Sequence, residues 1–371
     1  MWQQKSFSFA FKKYHHMFKH YPSPIHYSIT TPSGIIPAGK VSLSTQLILT
    51  AAENLGISWE SIPNTQIFKL TYQHITRYFH QQRITQTLEI GFDICLDKCA
   101  CKEFLTQARI TVPKGFYIPQ THQNYQSLVA EICAVTQKPL VVKPSRGEKG
   151  EHITMGISTL AELQSAVTQV LSHASLEEGA LIEETCKGDE FRILATKEKV
   201  LGIVKRVPAN VTGDGTHTIA ELITIKNSDP LRLSDPSAPR VTIHVDEKMV
   251  KFLTKNKYSL DTVVESGQQI FLRQNSNIST GGDSYDFTES AHSSVNELAV
   301  KIVNAIPGVE IVGIDFMTED ITKPQNSSSY AVLELNGSPG IYLHHFPYSG
   351  TSRNCALEYV VLMFPEMYAR T

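Results

Sequence analysis

The chain has 371 residues, of which 41% are hydrophobic and 19% charged, and its formal net charge is −2. This composition is typical of a soluble globular protein of about two or three packed units, and its charge gives no electrostatic reason to expect a nucleic-acid partner. No apolar run approaches the roughly 20 residues that a membrane-spanning helix needs, so no membrane partner is expected.

The first part of the chain predicts a small α/β unit that ends near residue 96. Residues 7–11 alternate between phenylalanine and small or polar residues, as in a half-buried strand. Residues 44–55 carry an apolar side that predicts a helix, and residues 58–79 predict a strand, a turn and a second strand.

The cysteines indicate a reducing compartment. Six cysteines in so long a chain do not resemble a disulfide framework. Cys95, Cys99 and Cys101 lack the paired spacing of a zinc site, so reduced thiols are favoured over a metal site. Polar and charged residues also interrupt any candidate secretory signal, and the expected location is the cytoplasm.

The sequence pattern changes at Asp97, which opens a predicted helix together with Lys98. Residues 110–113 begin a strand-like segment, and residues 131–134 continue a second helix. These elements begin a second α/β region.

A lysine ends the short strand predicted at residues 139–144, and a loop with two glycines follows at residues 145–152. Backbone amides of such a loop can approach phosphate oxygens while Lys143 supplies a positive charge. The pattern is neither G-x-x-x-x-G-K-[ST], which excludes a P-loop, nor G-x-G-x-x-G, which leaves a Rossmann site unsupported. Taken alone, the segment is more typical of a surface turn.

Acidic residues follow the next apolar strand, predicted at residues 180–186. The backbone of such a strand, which carries Glu183 and Glu184, can bond the edge of an adenine, and Glu190 can accept ribose hydroxyls. These groups favour the nucleotide interpretation of the preceding loop.

Three oxygen donors lie on two later predicted strands. Asp315 lies on the first strand, and Glu334 and Asn336 lie on the second. Oxygen-only sites suit Mg²⁺ that holds substrate phosphates, rather than zinc or copper. Ordinary strands with polar ends are the alternative, but the upstream loop favours a chain that handles ATP.

Residues 97–350 resemble the ATP-grasp superfamily, on motifs that occur in the expected order. Residues 206–219 look like cyanophycin synthetase and, equally, like the glutathione synthetase part of the bifunctional glutamate–cysteine ligase/glutathione synthetase. Residues 272–284 and 342–350 resemble the latter. Where this bifunctional enzyme tends to have the segment Pro-Ala-Met, the chain differs at residues 338–341. The loop after Lys143 looks more like that of cyanophycin synthetase.

The resemblance implies an α/β (α+β) ATP-grasp fold, in which two α+β lobes grip ATP. A pre-ATP-grasp-like N-terminal α/β domain is expected over residues 1–96, and the ATP-grasp domain over residues 97–371. Within the latter, residues 97–190 would form the central lobe with its lid loop, and residues 191–371 the C-terminal catalytic lobe.

The resemblance also implies site residues. Those that bind ATP are Lys98, Lys143, Gly147, Gly150, Glu183, Glu184 and Glu190. Those that hold two Mg²⁺ ions, with Mn²⁺ as an alternative ion, are Asp315, Glu334 and Asn336. Those near the acyl-phosphate centre are Arg206, Arg273 and Asn277. All three have plain alternatives, since Arg273 could pair with a surface carboxylate, Asn277 could belong to a turn and Arg206 could be an ordinary polar residue of a loop.

The expected function is ATP-dependent ligation of a carboxylate to an amine through an acyl phosphate. The substrates would be amino acids or short peptides, the products would include ADP and phosphate, and a homodimer is compatible with the sequence. Glutathione synthetase proper and a small-molecule kinase with the same nucleotide site are the alternatives.

Overall fold

The computed structural model describes residues 41–147, 152–175, 178–233 and 239–367. The predicted strand at residues 7–11 and the predicted lid residue Gly150 lie outside these described residues. Within them, no helix is long and apolar enough to cross a membrane.

The helices are numbered in chain order. They are α1 (Leu43–Asn54), α2 (Glu89–Leu96), α3 (Lys98–Gln107), α4 (Tyr125–Val135), α5 (Leu160–His173), α6 (Ile219–Asn227), α7 (Glu247–Lys255), α8 (Ser293–Ala305), α9 (Tyr342–His345) and α10 (Cys355–Met363).

The strands follow the same numbering. They are β1 (Ser58–Ser61), β2 (Ile67–Tyr72), β3 (Ile75–His80), β4 (Arg83–Ile84), β5 (Gly115–Pro119), β6 (Leu140–Pro144), β7 (Thr154–Ile157), β8 (Gly179–Glu184), β9 (Asp189–Thr196), β10 (Val200–Val207), β11 (Asn210–Thr212), β12 (Arg232–Leu233), β13 (Arg240–Val241), β14 (Gln269–Phe271), β15 (Asp283–Asp286), β16 (Ile311–Thr318) and β17 (Tyr330–Asn336).

Most elements predicted from local signals are confirmed. Helix α1 matches the predicted helix, and Asp97 caps α3 by accepting hydrogen bonds from two backbone N–H groups at 2.9 and 3.0 Å. The strand predicted from residue 110 is wrong in position, because β5 begins only at Gly115. Pro113 lacks the N–H that a sheet ladder requires.

The chain divides into two compact units. The first unit comprises Met1–Thr65, Gly202–Glu289 and Ile341–Val360, and the second comprises Gln66–Leu201, Ser290–Gly340 and Val361–Thr371. The predicted domain boundaries at residues 96 and 190 stay a prediction.

The second unit contains a four-stranded antiparallel sheet in the order β5-β8-β6-β7. Helices α4 and α5 cover one face of it, and apolar residues of both helices and the sheet form a common core. The same unit holds the antiparallel ladder β9-β16-β17, in which β16 pairs with both neighbours. Helix α3 packs against β17 and α8 packs against β9 and β16. This ladder and the four-stranded sheet carry the candidate site.

In the first unit, a fully buried carboxylate holds two cations, the buried Arg232 and the partly buried Lys226. Lys226 Nζ and Arg232 Nη2 each lie 2.5 Å from a different oxygen of Asp283. Asn210 Nδ2 donates to the same carboxylate at 3.0 Å, and the Tyr348 ring centroid lies 5.1 Å from Lys226 Nζ. We call these five side chains the Asp283 cluster. Because its charges are shielded from water, each depends on its partners within the cluster.

Candidate active site

One buried carboxylate lies between two lysines at the end of β6. Lys143 on β6 and Glu183 on β8 are diagonal neighbours on one face of the sheet, since Val141 pairs with Glu183 and Lys143 with Leu181. Lys143 Nζ lies 2.6 Å from Glu183 Oε2, and both residues are buried. The predicted phosphate lysine is therefore held in place by an acid of β8, the neighbouring strand in the sheet.

Helix α3 brings two more lysines to this point. Lys98 and Lys102 are four residues apart, so they project from one face of the helix. Lys98 Nζ donates to the Gly147 carbonyl at 2.8 Å and lies 3.9 Å from Glu334 Oε2. Lys102 Nζ lies 2.7 Å from Glu183 Oε1. We call Lys98, Lys102 and Lys143 the lysine cluster.

Electrostatics favour an anion at this cluster. Burial by itself would raise the pKa of Glu183, but Lys143 and Lys102 outweigh burial and lower it, so the carboxylate is ionised. Burial would lower the pKa of Lys143, but Glu183 outweighs it and raises that pKa. Burial lowers the pKa of both Lys98 and Lys102. Three amino groups thus face the carboxylates of Glu183 and Glu334, and an added anion would help to hold all three in the ammonium form.

Charged residues also form a row across the ladder β9-β16-β17. Arg192, Asp315 and Glu334 occupy directly paired positions on the three strands, so their side chains share one face. Arg192 Nε donates to Asp315 Oδ1 at 2.5 Å, and both side chains are buried. Asn336, two residues beyond Glu334, lies on the same face, and its Oδ1 accepts from the Ser338 N–H at 2.9 Å.

The donor set of this row fits a hard cation. Asp315, Glu334 and Asn336 supply two carboxylates and one amide on one sheet face, and such oxygens suit Mg²⁺. Over the described ranges, no group of three or more His, Cys, Asp or Glu side chains is placed to hold a metal ion. Because Mg²⁺ prefers octahedral coordination, an ion held by these three residues would take further ligands from substrate phosphates and water.

A β-bulge adjoins the row. Asp315 pairs with Glu334, but Phe316 pairs with Val332, which leaves Leu333 as an extra residue in β17. The Leu333 carbonyl accepts a hydrogen bond from Lys102 Nζ at 3.1 Å. The bulge therefore links the row formed by Arg192, Asp315 and Glu334 to the lysine cluster.

Gly313 leaves room for the Arg192 guanidinium. A Cβ at this position would lie 2.8 Å from Pro339 Cβ and 3.1 Å from Arg192 Nη1. We expect Gly313→Ala to displace Arg192 and to lower the free energy of unfolding by about 1–3 kcal/mol. Urea denaturation followed by circular dichroism measures this, and an unchanged midpoint would contradict the packing argument.

The remaining nucleotide residues of the prediction lie on neighbouring elements of the second unit. Gly147 belongs to the predicted lid loop, and its carbonyl accepts from Lys98. Glu184 is half-buried at the end of β8, where its Oε1 accepts from the Gln137 N–H at 2.9 Å. Glu190 lies on β9, opposite Met317 of β16. The predicted roles of these residues stay predictions.

The three predicted catalytic residues lie in the first unit. Arg206 lies on β10, opposite Ser284. Arg273 Nη2 pairs with Asp246 Oδ2 at 2.8 Å and donates to the His244 carbonyl at 3.0 Å.

Asn277 caps a short turn, in which its Oδ1 accepts from the Ser279 N–H at 3.1 Å. The contacts of Arg273 and Asn277 are those of the plain alternatives, and the catalytic roles of Arg206, Arg273 and Asn277 stay predictions.

The cysteines near α3 are thiols. All six cysteines of the chain are free. Burial raises the pKa of Cys99 to about 11 and that of Cys101 to about 12, so neither forms a thiolate readily at neutral pH.

Two residues of this site were missed by the sequence prediction. Lys102 could have been found from its spacing of four residues from Lys98, which places both on one helix face. Arg192 could have been found only from the pairing of β9 with β16, which the sequence does not reveal.

Comparisons with known proteins find related synthetases. The chain is 34% identical over 327 residues to cyanophycin synthetase from Crocosphaera subtropica, across 87% of the chain and 36% of that protein. It is 33% identical over 322 residues to the glutathione biosynthesis bifunctional protein GshAB from Desulfotalea psychrophila, across 85% of the chain and 40% of that protein. No protein-family model matches the chain.

The fold has a solved counterpart. The crystal structure of a bifunctional glutathione synthetase from Pasteurella multocida matches with a TM-score of 0.67 at 31% identity, across 88% of the chain and 43% of that structure. The chain thus spans about two fifths of the length of these three relatives. The predicted α/β (α+β) ATP-grasp fold is confirmed, and the chain belongs to the ATP-grasp superfamily.

Proposed function

We propose that the chain is an ATP-dependent carboxylate–amine ligase. It forms an amide or peptide bond between amino acids or short peptides through an acyl phosphate, and it releases ADP and phosphate. The observation that carries this proposal is the lysine cluster, which lies beside a row of oxygen donors within one compact unit. The similarity to named synthetases over most of the chain supports it.

In this proposal the second unit binds the nucleotide. Lys98 and Lys143 contact phosphate oxygens, and the predicted lid loop, to which Gly147 belongs, would cover them and limit access of water. Asp315, Glu334 and Asn336 would hold Mg²⁺, which when bound supplies positive charge against the phosphates.

Phosphoryl transfer goes from the nucleotide to the substrate carboxylate, and an amine then attacks the acyl phosphate. The charge at the carbonyl carbon and the phosphorus of the acyl phosphate is proposed to be stabilised by Arg206, Arg273 and Asn277. No protein nucleophile is required, and the raised pKa values of Cys99 and Cys101 agree with this. The free thiols also support the proposed cytoplasmic location.

A product screen tests the reaction class. Purified chain, ATP and Mg²⁺ are incubated with pairs of amino acids or short peptides, including γ-glutamylcysteine with glycine, and products are identified by mass spectrometry. We expect amine-dependent release of ADP together with an amide product. A phosphorylated product that accumulates at full rate without any amine would favour a kinase instead.

Isotope transfer tests the intermediate. A carboxylate substrate labelled with ¹⁸O should transfer one label to the released phosphate, because the carboxylate oxygen attacks the γ-phosphorus. Hydroxylamine should trap the same intermediate as a hydroxamate. Label found in AMP would favour adenylation and contradict the proposed route.

We expect Lys143→Met to weaken ADP binding by roughly 2 kcal/mol, because it removes a buried charge-assisted contact to phosphate. Isothermal titration calorimetry measures the affinity. Lys138→Met is the matched control, since Lys138 belongs to the same unit and donates only to the Cys133 carbonyl among its described hydrogen bonds. Unchanged ADP affinity and unchanged turnover in Lys143→Met would leave this lysine only its structural pair with Glu183.

A further inference from the structure

Lys102 belongs to the lysine cluster but has no role in the function proposed above. Its Nζ lies 2.7 Å from Glu183 Oε1, while Lys143 Nζ lies 2.6 Å from Oε2 of the same carboxylate. One buried acid therefore bridges two cations, the buried Lys143 from a strand and the partly buried Lys102 from a helix.

Lys102 also makes a second contact, which has no counterpart among the described contacts of Lys143. Lys102 Nζ donates to the Leu333 carbonyl at 3.1 Å, and this carbonyl belongs to the bulged position of β17. Lys102 is thereby held between α3 and β17, whereas Lys143 lies at the end of its strand, next to the loop that contains Gly147.

The charges explain why two lysines share one acid. A buried carboxylate that loses its counter-ion is strongly disfavoured. If Lys143 turned from Glu183 towards a phosphate oxygen, Glu183 would lose one of its two ion pairs, and the pair with Lys102 would remain.

We infer that Lys102 is a positioning residue of the nucleotide site, which keeps Glu183 paired while Lys143 exchanges that acid for a phosphate oxygen. The inference rests on the proposed function, because the phosphate is that of the nucleotide. A purely structural Lys102 would affect the stability of the unit without distinguishing phosphorylated from unphosphorylated ligands.

The test compares ADP with adenosine as calorimetric ligands of the full chain. We expect Lys102→Met to weaken ADP binding about tenfold or more and to leave adenosine binding unchanged. Lys102→Arg keeps the charge and should retain ADP affinity within about threefold. Lys138→Met is the control for loss of a lysine elsewhere in the unit.

A double-mutant cycle decides whether Lys102 acts through Glu183. Glu183→Gln removes the carboxylate, so adding Lys102→Met to it should change ADP affinity by less than about threefold. The double variant carries neither the Lys102 nor the Glu183 charge, so the comparison remains informative if Lys102→Met alone does not fold.

Three results would overturn the inference. They are unchanged ADP affinity in Lys102→Met, an equal loss for adenosine and ADP, and a tenfold loss that persists in the Glu183→Gln background. The last would make Lys102 a direct phosphate contact. Failure of the unaltered chain to bind ADP would overturn the proposed function and this inference together, whereas the three results above leave the proposed function intact.

Discussion

We expect Asp315→Asn and Glu334→Gln each to lower the rate of ADP release by roughly 100-fold or more, with the secondary structure retained. Each substitution removes a negative charge from the oxygen donors that would hold Mg²⁺ against the phosphates. Asp315→Asn also weakens the pair with Arg192, whose Nε lies 2.5 Å from the carboxylate. The two residues face each other across β16 and β17, so both changes affect one site.

Steady-state ADP release, measured over a range of Mg²⁺ concentrations, checks this prediction. Asp320→Asn is the control, because it makes the same chemical change just beyond β16, in a turn where Asp320 accepts from Thr322. Near wild-type turnover in both folded variants would remove Asp315 and Glu334 from the metal site.

We expect the largest loss of stability from Asp283→Ala, about 3–5 kcal/mol in the free energy of unfolding of the first unit. The substitution leaves the buried Arg232 and the partly buried Lys226 without the carboxylate that each approaches at 2.5 Å. The cost arises because a buried and a partly buried cation lose their counter-ion, rather than because a surface contact is lost.

Urea denaturation measures this loss. Glu247→Ala is the control, since Glu247 pairs with Lys251 at 2.6 Å with both side chains about three-quarters exposed, and its loss should cost less than about 1 kcal/mol. If Asp283→Ala and Glu247→Ala shifted the midpoint equally, the Asp283 cluster would contribute no more than an exposed pair.

Sequence signals were sufficient wherever structure is set by near neighbours. Asp97 caps α3 because its side chain reaches N–H groups two and three residues ahead, a pattern visible in the chain itself. A short β-branched run predicted the strand that ends with Lys143, and β6 confirms it. The ATP-grasp fold was predicted from motif order, which does not depend on individual contacts.

The rest depended on pairings between distant segments. The contacts of Lys102 form only when α3 packs against β17 and β8 supplies Glu183. Arg192 and Asp315 are 123 positions apart and meet because β9 and β16 are neighbours. Local periodicity gives no information on which strands become neighbours, so these partners could not be read from the sequence.

At the bulge, replacing the Leu333 side chain and deleting residue 333 have different consequences. Lys102 contacts the backbone carbonyl of Leu333, so replacing the Leu333 side chain would leave this contact available. Removing residue 333 altogether would restore regular pairing and keep Asp315 opposite Glu334, but it would withdraw the carbonyl from Lys102. At this position the number of residues in the strand is therefore constrained more tightly than the identity of the amino acid.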